Sequence, residues 1–185
     1  MDNGASSYHR FLEGDENALE EIVSQYRPGL QNYINSIVNN FSVAEDLTEE
    51  TFVKLLIKKP RNKKVASFKT WLYTIGRNVA IDWMRKNPQG RNIPIDEIFN
   101  LEIEEAQFIQ SYIKDEEKRF VHDALDSINP DYKNVLILFY FEDFGIEEIS
   151  KILKKTKKNT SVLLHRAKKA LKAQLEKEDF IYENR

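Results

Sequence analysis

The sequence predicts an all-α protein of two helical domains, and three observations support this fold class. Apolar residues recur at intervals of three and four along the patterned segments, which is the period of an amphipathic helix. Only six glycines and five prolines are spread over 185 residues, which is few for a turn-rich β fold. Charge alternates in long blocks, so the net charge of −2 hides a modular organisation.

The charge blocks divide the chain into four parts. Residues 1–50 carry ten acids and two bases, a net −8, and residues 51–95 carry one acid and eleven bases, a net +10. Residues 96–126 carry ten acids and three bases, a net −7, and residues 127–185 carry nine acids and twelve bases, a net +3. Strongly basic surfaces indicate a polyanionic partner more clearly than the whole-chain charge does.

Composition also bears on chemistry and location. The chain has no cysteine, which excludes disulfides and thiolate metal sites. The start, MDNGASSYHRFLEGDENALEE, lacks the basic and apolar regions of a signal peptide, and the longest apolar run, 135–141, is far short of the roughly 20 residues of a membrane span. The three histidines share no metal-ligand spacing, and no Gly-rich phosphate loop occurs. We therefore expect a cytoplasmic protein without membrane insertion, catalytic residues, metal or cofactor.

Helical periodicity predicts the N-terminal elements. Two helices are expected over 5–13 and 15–40, with Pro28 as a kink or boundary. Ser42 and Glu45 form an S-x-x-E capping box, which is expected to open a third helix that continues to about residue 58.

A fourth helix is expected after a basic loop at 58–67. Ser67 is its predicted cap, the helix continues to about Lys86, and the sequence NPQG at 87–90 ends it. Its predicted apolar face carries Phe68, Leu72, Ile75, Val79 and Trp83.

The C-terminal part follows an acidic segment. Residues 88–114 lack a clean long period, so we interpret them as a linker with a short helix around 102–113. A helix is expected over 115–127, and Asn129 with Pro130 at the first helical position opens another, to about residue 141.

Residues 145–172 carry the most informative pattern. Two amphipathic segments are joined by a polar turn, and nine Lys or Arg without any acid lie between Lys151 and Lys172. This predicts a helix-turn-helix whose second helix could enter a major groove; the alternative is a solvated, Lys-rich terminal helix. The face expected to be buried carries Thr160, Leu164, Ala167 and Leu171. The predicted groove contacts are Lys157, Lys158, Ser161, Val162, His165, Arg166 and Lys169.

A second basic segment covers residues 51–81, with eight Lys or Arg, no acid and interleaved aromatic residues. Cations beside aromatic rings suit single-stranded nucleic acid, because cations bind phosphates and rings stack on bases. Core packing is favoured for Phe68, whereas for Trp71, Tyr73 and Asn78 both interpretations remain open. The candidate set is Lys63, Lys64, Phe68, Trp71, Tyr73, Arg77 and Asn78.

Four segments in this order resemble the extracytoplasmic-function group of bacterial RNA polymerase sigma factors in the sigma-70 family. They are AEDLTEETF (44–52), FKTWLYTIGRNVAIDWMRK (68–86), NIPIDE (92–97) and LDSINPDYKNVLILFYFEDFGIEEISKIL with LHRAKKAL (within 125–171). The resemblance implies a region 2-like domain at 1–87 that docks on core polymerase and recognises and melts the minus-ten element. It also implies a linker at 88–114 and a region 4-like helix-turn-helix domain at 115–185 that recognises the minus-thirty-five element. The implied partners are core polymerase, promoter DNA as duplex and melted non-template strand, and an anti-sigma factor.

The resemblance assigns expected roles to individual residues. Asn78 matches the family's base-pocket asparagine, and the segment 44–52 matches the polymerase-docking helix. The implied docking residues are Glu45, Asp46, Glu49, Glu50 and Phe52, with core packing an equal alternative for Phe52.

The chain also departs from the family pattern. Glu49 stands where the family usually has Gln, and Lys154 stands where it has a turn glycine. Ser161 and Leu163 replace a common base-reading Lys and Arg. Two other functions therefore stay open: a sigma-like adaptor or decoy that does not read DNA, and an ordinary helix-turn-helix regulator.

Overall fold

The computed structural model of the protein describes residues 4–57, 68–88, 121 and 123–183, with residues 178–183 described by their backbone alone. Every long regular element in these ranges is helical, which confirms the all-α prediction. The helices are α1 (Ala5–Leu12), α2 (Asn17–Val38), α3 (Phe41–Ile57), α4 (Phe68–Lys86), α5 (Pro130–Leu136), a π-helical segment (Ile137–Phe141), α6 (Ile146–Leu153) and α7 (Lys157–Glu183). The predicted Ser67 cap, the loop at 58–67, the linker helix at 102–113 and the start of the helix at 115–127 lie outside the described residues.

Two local predictions in the N-terminal half need correction. Of the two alternatives expected for Pro28, a kink or a boundary, the boundary is wrong, because α2 continues through this residue. Helix α3 does not begin with the Ser42–Glu45 capping box. Asn40 caps it instead, because its Oδ1 accepts a hydrogen bond from the backbone N–H of Val43 at 3.0 Å. Asparagine caps helices as well as serine does, so Asn40 opens α3 at Phe41, ahead of Ser42.

Helices α1–α4 form an N-terminal bundle around large buried side chains. Ile22, Leu30 and Tyr33 of α2 are fully buried against Leu72 and Tyr73 of α4 in one apolar cluster. Complete burial of each aliphatic side chain contributes about 1.5–3 kcal/mol. Helix α4 extends from Phe68 to Lys86, as its apolar spacing predicts.

Helices α5–α7 and the π-helical segment form a C-terminal bundle. Asn129 caps α5 by accepting from the backbone N–H of Asp131 at 2.8 Å, with Pro130 at the first helical position as expected. The predicted single helix to residue 141 changes at Ile137 into a π-helical segment, which the backbone bond from Glu142 N–H to Ile137 O closes at 3.1 Å. The predicted helix-turn-helix follows as α6 and α7.

The two bundles share one continuous apolar cluster. Helix α4 packs against α6, and α2 packs against α5. Tyr73 of α4 and Phe144, from the turn before α6, are both part of this cluster. Within the described ranges, no helix combines the length and apolar character that a membrane crossing requires.

Candidate nucleic-acid interface

The exposed face of α7 is the first candidate site. Thr160, Leu164 and Ala167 are buried as their spacing predicts, and Leu171 is partly buried. This burial fixes the rotation of the helix and turns the opposite face to solvent. All seven predicted groove-contacting side chains are exposed: Lys157, Lys158, Ser161, Val162, His165, Arg166 and Lys169.

The start of α7 is fixed by Thr156. Its hydroxyl oxygen accepts from the backbone N–H of Asn159 at 3.1 Å, and its backbone oxygen accepts from the hydroxyl of Thr160 at 3.0 Å. A Thr cap of this kind stabilises a helix by about 1 kcal/mol. The basic first turn of α7 is therefore held at a defined place in the bundle.

The turn between α6 and α7 contains a residue in the left-handed region. Lys154 has φ 55° and ψ 42°. Its N–H bonds to Lys151 O at 3.3 Å, and the N–H of Lys155 bonds to Ser150 O at 3.0 Å, which together form a Schellman motif. Glycine is the usual residue at such a position because it lacks a Cβ, so Lys154 holds the turn at a cost of about 1 kcal/mol.

Two lysines of α7 contact the remainder of the C-terminal bundle. Lys157 pairs with Glu147 of α6 at 2.8 Å and lowers the pKa of the Glu147 carboxyl. Lys168 lies 4.5 Å from the ring centroid of Phe139 and 5.3 Å from that of Tyr140. Lys157 is therefore partly neutralised within the chain, which leaves Lys158 and Lys169 as stronger candidates for phosphate contact.

Helix α4 carries the second candidate site, and the structure separates its predicted residues into two groups. Phe68 and Tyr73 are buried, whereas Trp71, Arg77 and Asn78 are half-buried. Phe68 packs on Tyr8 and Tyr26 with centroid distances of 5.0 and 5.6 Å, as its predicted core role requires. Lys63 and Lys64 lie outside the described residues.

Tyr73 contacts the C-terminal bundle rather than solvent. Its hydroxyl donates a short hydrogen bond to the Glu142 carboxylate, and its ring meets Phe144 edge-on at 5.0 Å. Burial, followed by the Glu142 charge, raises the pKa of Tyr73 far above its ordinary value, so the phenol stays a neutral donor. Of the two interpretations left open for Tyr73, core packing and base stacking, the structure supports core packing.

Lys69 and Glu142 were not among the residues predicted from the sequence. Lys69 Nζ donates to the backbone oxygen of Glu142 at 2.6 Å and lies 3.2 Å from its carboxylate. The two residues are 73 positions apart, and neither belongs to an apolar pattern. Charge blocks alone gave no signal that could pair them.

The third candidate surface is the outer face of α3. Glu45, Asp46, Glu49 and Glu50 are exposed there, whereas Phe52 is only 8% exposed and packs in the core. Two neighbours that the sequence analysis did not select are strongly exposed: Val53 at 52% and Ile57 at 75%. The sequence did contain a signal for them: they lie 7 and 11 residues after Asp46 and 4 and 8 after Glu49, and residues at these helical spacings share a face.

Arg27 of α2 organises the acids of this surface. Its guanidinium lies 3.3 Å from the Glu45 carboxylate and 3.1 Å from that of Glu49. Glu50 pairs with Lys54 one turn later at 2.6 Å. The outer face of α3 therefore combines partly neutralised acids with two exposed aliphatic side chains.

Comparisons with known proteins identify two family regions in this chain. A family model described as sigma-70 region 2 matches residues 22–89, and one described as sigma-70 region 4 matches residues 121–171. The RNA polymerase sigma factor SigV of Bacillus subtilis is 32% identical over 161 residues, covering 87% of this chain and 93% of SigV. The ECF RNA polymerase sigma factor SigX of the same organism is 26% identical over 165 residues, covering 87% of this chain and 85% of SigX.

A solved structure shows the same fold. The sigma factor RpoE of Bartonella quintana, in a co-crystal with the anti-sigma factor NepR, superposes with a TM-score of 0.64 at 21% identity. The match covers 85% of this chain and 96% of that one. From the two region models in their order and the similarity to SigV over most of both chains, we conclude that this chain belongs to the extracytoplasmic-function group of sigma-70 family sigma factors.

Proposed function

We propose that this protein binds core RNA polymerase and directs it to promoters, acting by binding rather than catalysis and in the cytoplasm. The observation that carries the proposal is the exposed basic face of α7, held by a helix-turn-helix in the same chain as the region 2 helices. Residues 1–87 would dock on polymerase and open the minus-ten element, residues 88–114 would connect, and residues 115–185 would read the minus-thirty-five element.

Duplex reading would use α7 in the major groove. Lys158 and Lys169 are exposed in the first and fourth turns of the helix, where an ammonium group can neutralise a phosphate and release counterions. Val162, 43% exposed between them, can contact a thymine methyl, and His165 can hydrogen-bond a base edge. The hydroxyl of Ser161 already donates to Lys157 O at 3.0 Å, so it would contact bases mainly as an acceptor.

Polymerase docking would use the outer face of α3. Its acids provide charge complementarity to a basic partner surface, and the exposed Val53 and Ile57 provide the apolar contact. Phe52 would support this face from the core rather than contact polymerase directly. Electrostatic attraction would then set the association rate, and the aliphatic contact would slow dissociation.

Strand capture would use the half-buried residues of α4. An asparagine amide offers both a donor and an acceptor to an unstacked base, and Asn78 is partly accessible beside Arg77. Trp71 packs edge-on against Tyr8 at 5.5 Å, which holds its ring while part of it stays accessible for stacking.

We also propose that the chain binds an anti-sigma factor, as the solved RpoE does.

Run-off transcription with purified core polymerase tests this function. Templates would be selected from fragmented bacterial genomic DNA by the reconstituted complex. Initiation from discrete sites that core polymerase alone does not use supports a sigma factor. Co-purification with polymerase without such initiation would instead indicate an adaptor or decoy, and specific duplex binding without polymerase association would indicate an ordinary regulator.

A further inference from the structure

We propose that the turn after the π-helical segment is an autoinhibitory element: it covers Lys69, Thr70 and Tyr73 in the basic segment of α4 and must leave before these groups can bind single-stranded DNA together with the strand-capture residues. The contact, here called the interbundle latch, joins Lys69, Thr70 and Tyr73 of α4 to Glu142, Phe144 and Glu148 of the C-terminal bundle. The inhibitory role rests on the proposed function, whereas the contact itself does not.

Polar bonds hold one side of the latch. Glu142 accepts from the Tyr73 hydroxyl and pairs with Lys69 at 3.2 Å, with side chains only 11% and 25% exposed. Thr70 donates to Glu148 Oε1 at 2.9 Å. Because the ion pair is largely removed from water, it is less screened than the exposed pairs of this chain.

An apolar contact holds the other side. Phe144 is 3% exposed and fills the space beside the Tyr73 ring. Lys69 Nζ lies 4.8 Å above the Phe144 ring, so the same ammonium group joins the polar and the apolar contacts. Opening the latch would therefore expose an aromatic ring and separate an ion pair together.

Gly29 of α2 shows that the fold accommodates this contact. A Cβ at Gly29 would lie 2.5 Å from Glu142 Oε1 and 2.7 Å from the Tyr73 hydroxyl. Glycine inside a helix is less stable than alanine, so a glycine at this position needs a local reason. The close approach of the Glu142 carboxylate to the α2 backbone supplies that reason.

The latch competes with nucleic acid for the same groups. Lys69 belongs to the acid-free basic segment, and in the closed arrangement its ammonium group is bonded to a carboxylate instead of a phosphate. Tyr73 and Thr70 are likewise bonded to acids. A binding-competent state that is only fractionally populated lowers the apparent affinity by that fraction, so closure weakens strand binding without changing the site itself.

Fluorescence energy transfer in the full chain tests closure. The sequence contains no cysteine, so Glu13→Cys and Ala173→Cys introduce one label on each bundle at exposed positions. Binding is measured in parallel with a fluorescent single-stranded oligonucleotide of random sequence. Glu142→Lys reverses the charge beside Lys69, and Glu147→Lys makes the same charge change on α6, where Glu147 pairs only with Lys151 and Lys157 among the described residues.

Glu142→Lys should lower the transfer efficiency and tighten oligonucleotide binding at least about threefold beyond Glu147→Lys, as removal of a population penalty predicts. Gly29→Ala should do the same without altering charge. The double change Lys69→Glu with Glu142→Lys should restore the transfer efficiency. Such a recovery would show that Glu142→Lys alone opens the latch and does not unfold the protein.

Two results would overturn the proposal. Unchanged transfer in both Glu142→Lys and Gly29→Ala would mean that the contact does not hold the bundles together. Lower transfer with no gain in binding over Glu147→Lys would mean that the covered surface does not bind strands. Promoter-specific run-off by the unmodified protein is scored separately, so a failed latch leaves the sigma function standing, and absent run-off with an intact latch signal refutes the function alone.

Discussion

Truncating Leu164 to alanine should destabilise the C-terminal bundle without removing any predicted DNA contact. Leu164 is 5% exposed and packs in the same cluster as Ile149 and Ile152. Losing three carbon atoms at about 0.8 kcal/mol each gives roughly 2.4 kcal/mol, and the cavity that remains raises the expected loss to about 3 kcal/mol. Urea denaturation followed by circular dichroism measures this as a lower midpoint at an unchanged slope.

Lys158→Ala is the complementary change on the opposite face of α7. Because Lys158 is exposed, the free energy of unfolding should change by less than about 0.5 kcal/mol. The affinity for a promoter duplex selected in the run-off experiment should fall, and the slope of log K against log salt should decrease by about one unit. Lys172→Ala, an exposed charge on α7 paired with Glu176 and outside the predicted contacts, is the matched control and should leave the slope unchanged. A stable Leu164→Ala protein together with a destabilised Lys158→Ala protein would show that α7 is rotated differently from the arrangement described above.

Three further predictions concern the other surfaces. Reversing Asp46 and Glu49 to lysine, or replacing the exposed Ile57 by serine, should reduce co-purification with core polymerase while the melting temperature stays within a few degrees; undiminished co-purification would exclude α3 as the docking helix. Asn78→Ala should preserve duplex binding but reduce open-complex formation in permanganate footprinting, with partial rescue on a pre-melted bubble; normal opening in a folded variant would refute base capture. Lys154→Gly should stabilise the protein by up to about 1 kcal/mol in urea denaturation, since it removes left-handed strain at φ 55°; a loss of stability would show that the side chain of Lys154 outweighs the strain.

Periodicity predicted the parts of the fold that depend on which face of a helix is buried. The register of α7 and the core role of Phe68 follow from apolar spacing, because burying a continuous stripe fixes helix rotation. The start of α3 did not follow, since Asn40 and Ser42 are both good caps and tertiary packing selects between them. The same apolar spacing could have predicted that Ile57 is exposed, because Ile57 lies opposite the buried stripe of α3.

The contacts between the two bundles could not be predicted from local sequence patterns. Tyr73 has an aromatic ring that could stack on a base, and it does not belong to the apolar spacing of α4. Its orientation therefore depends on the side chains that pack against α4. That partner, Glu142, comes from a turn 69 residues later in the chain. One sequence without aligned relatives contains no signal that joins such distant polar residues.

The π-helical segment makes the C-terminal bundle sensitive to chain length at one place. Its i→i+5 closure, from Glu142 N–H to Ile137 O, holds one residue more than an α-helical turn would. Each α-helical residue advances the chain by about 100°, so deleting a single residue from 137–141 would turn the following segment by about that angle relative to α5. An insertion or deletion here would redirect Glu142 and Phe144 with both side chains intact, which makes this segment a position where evolution can adjust bundle closure by length instead of by substitution.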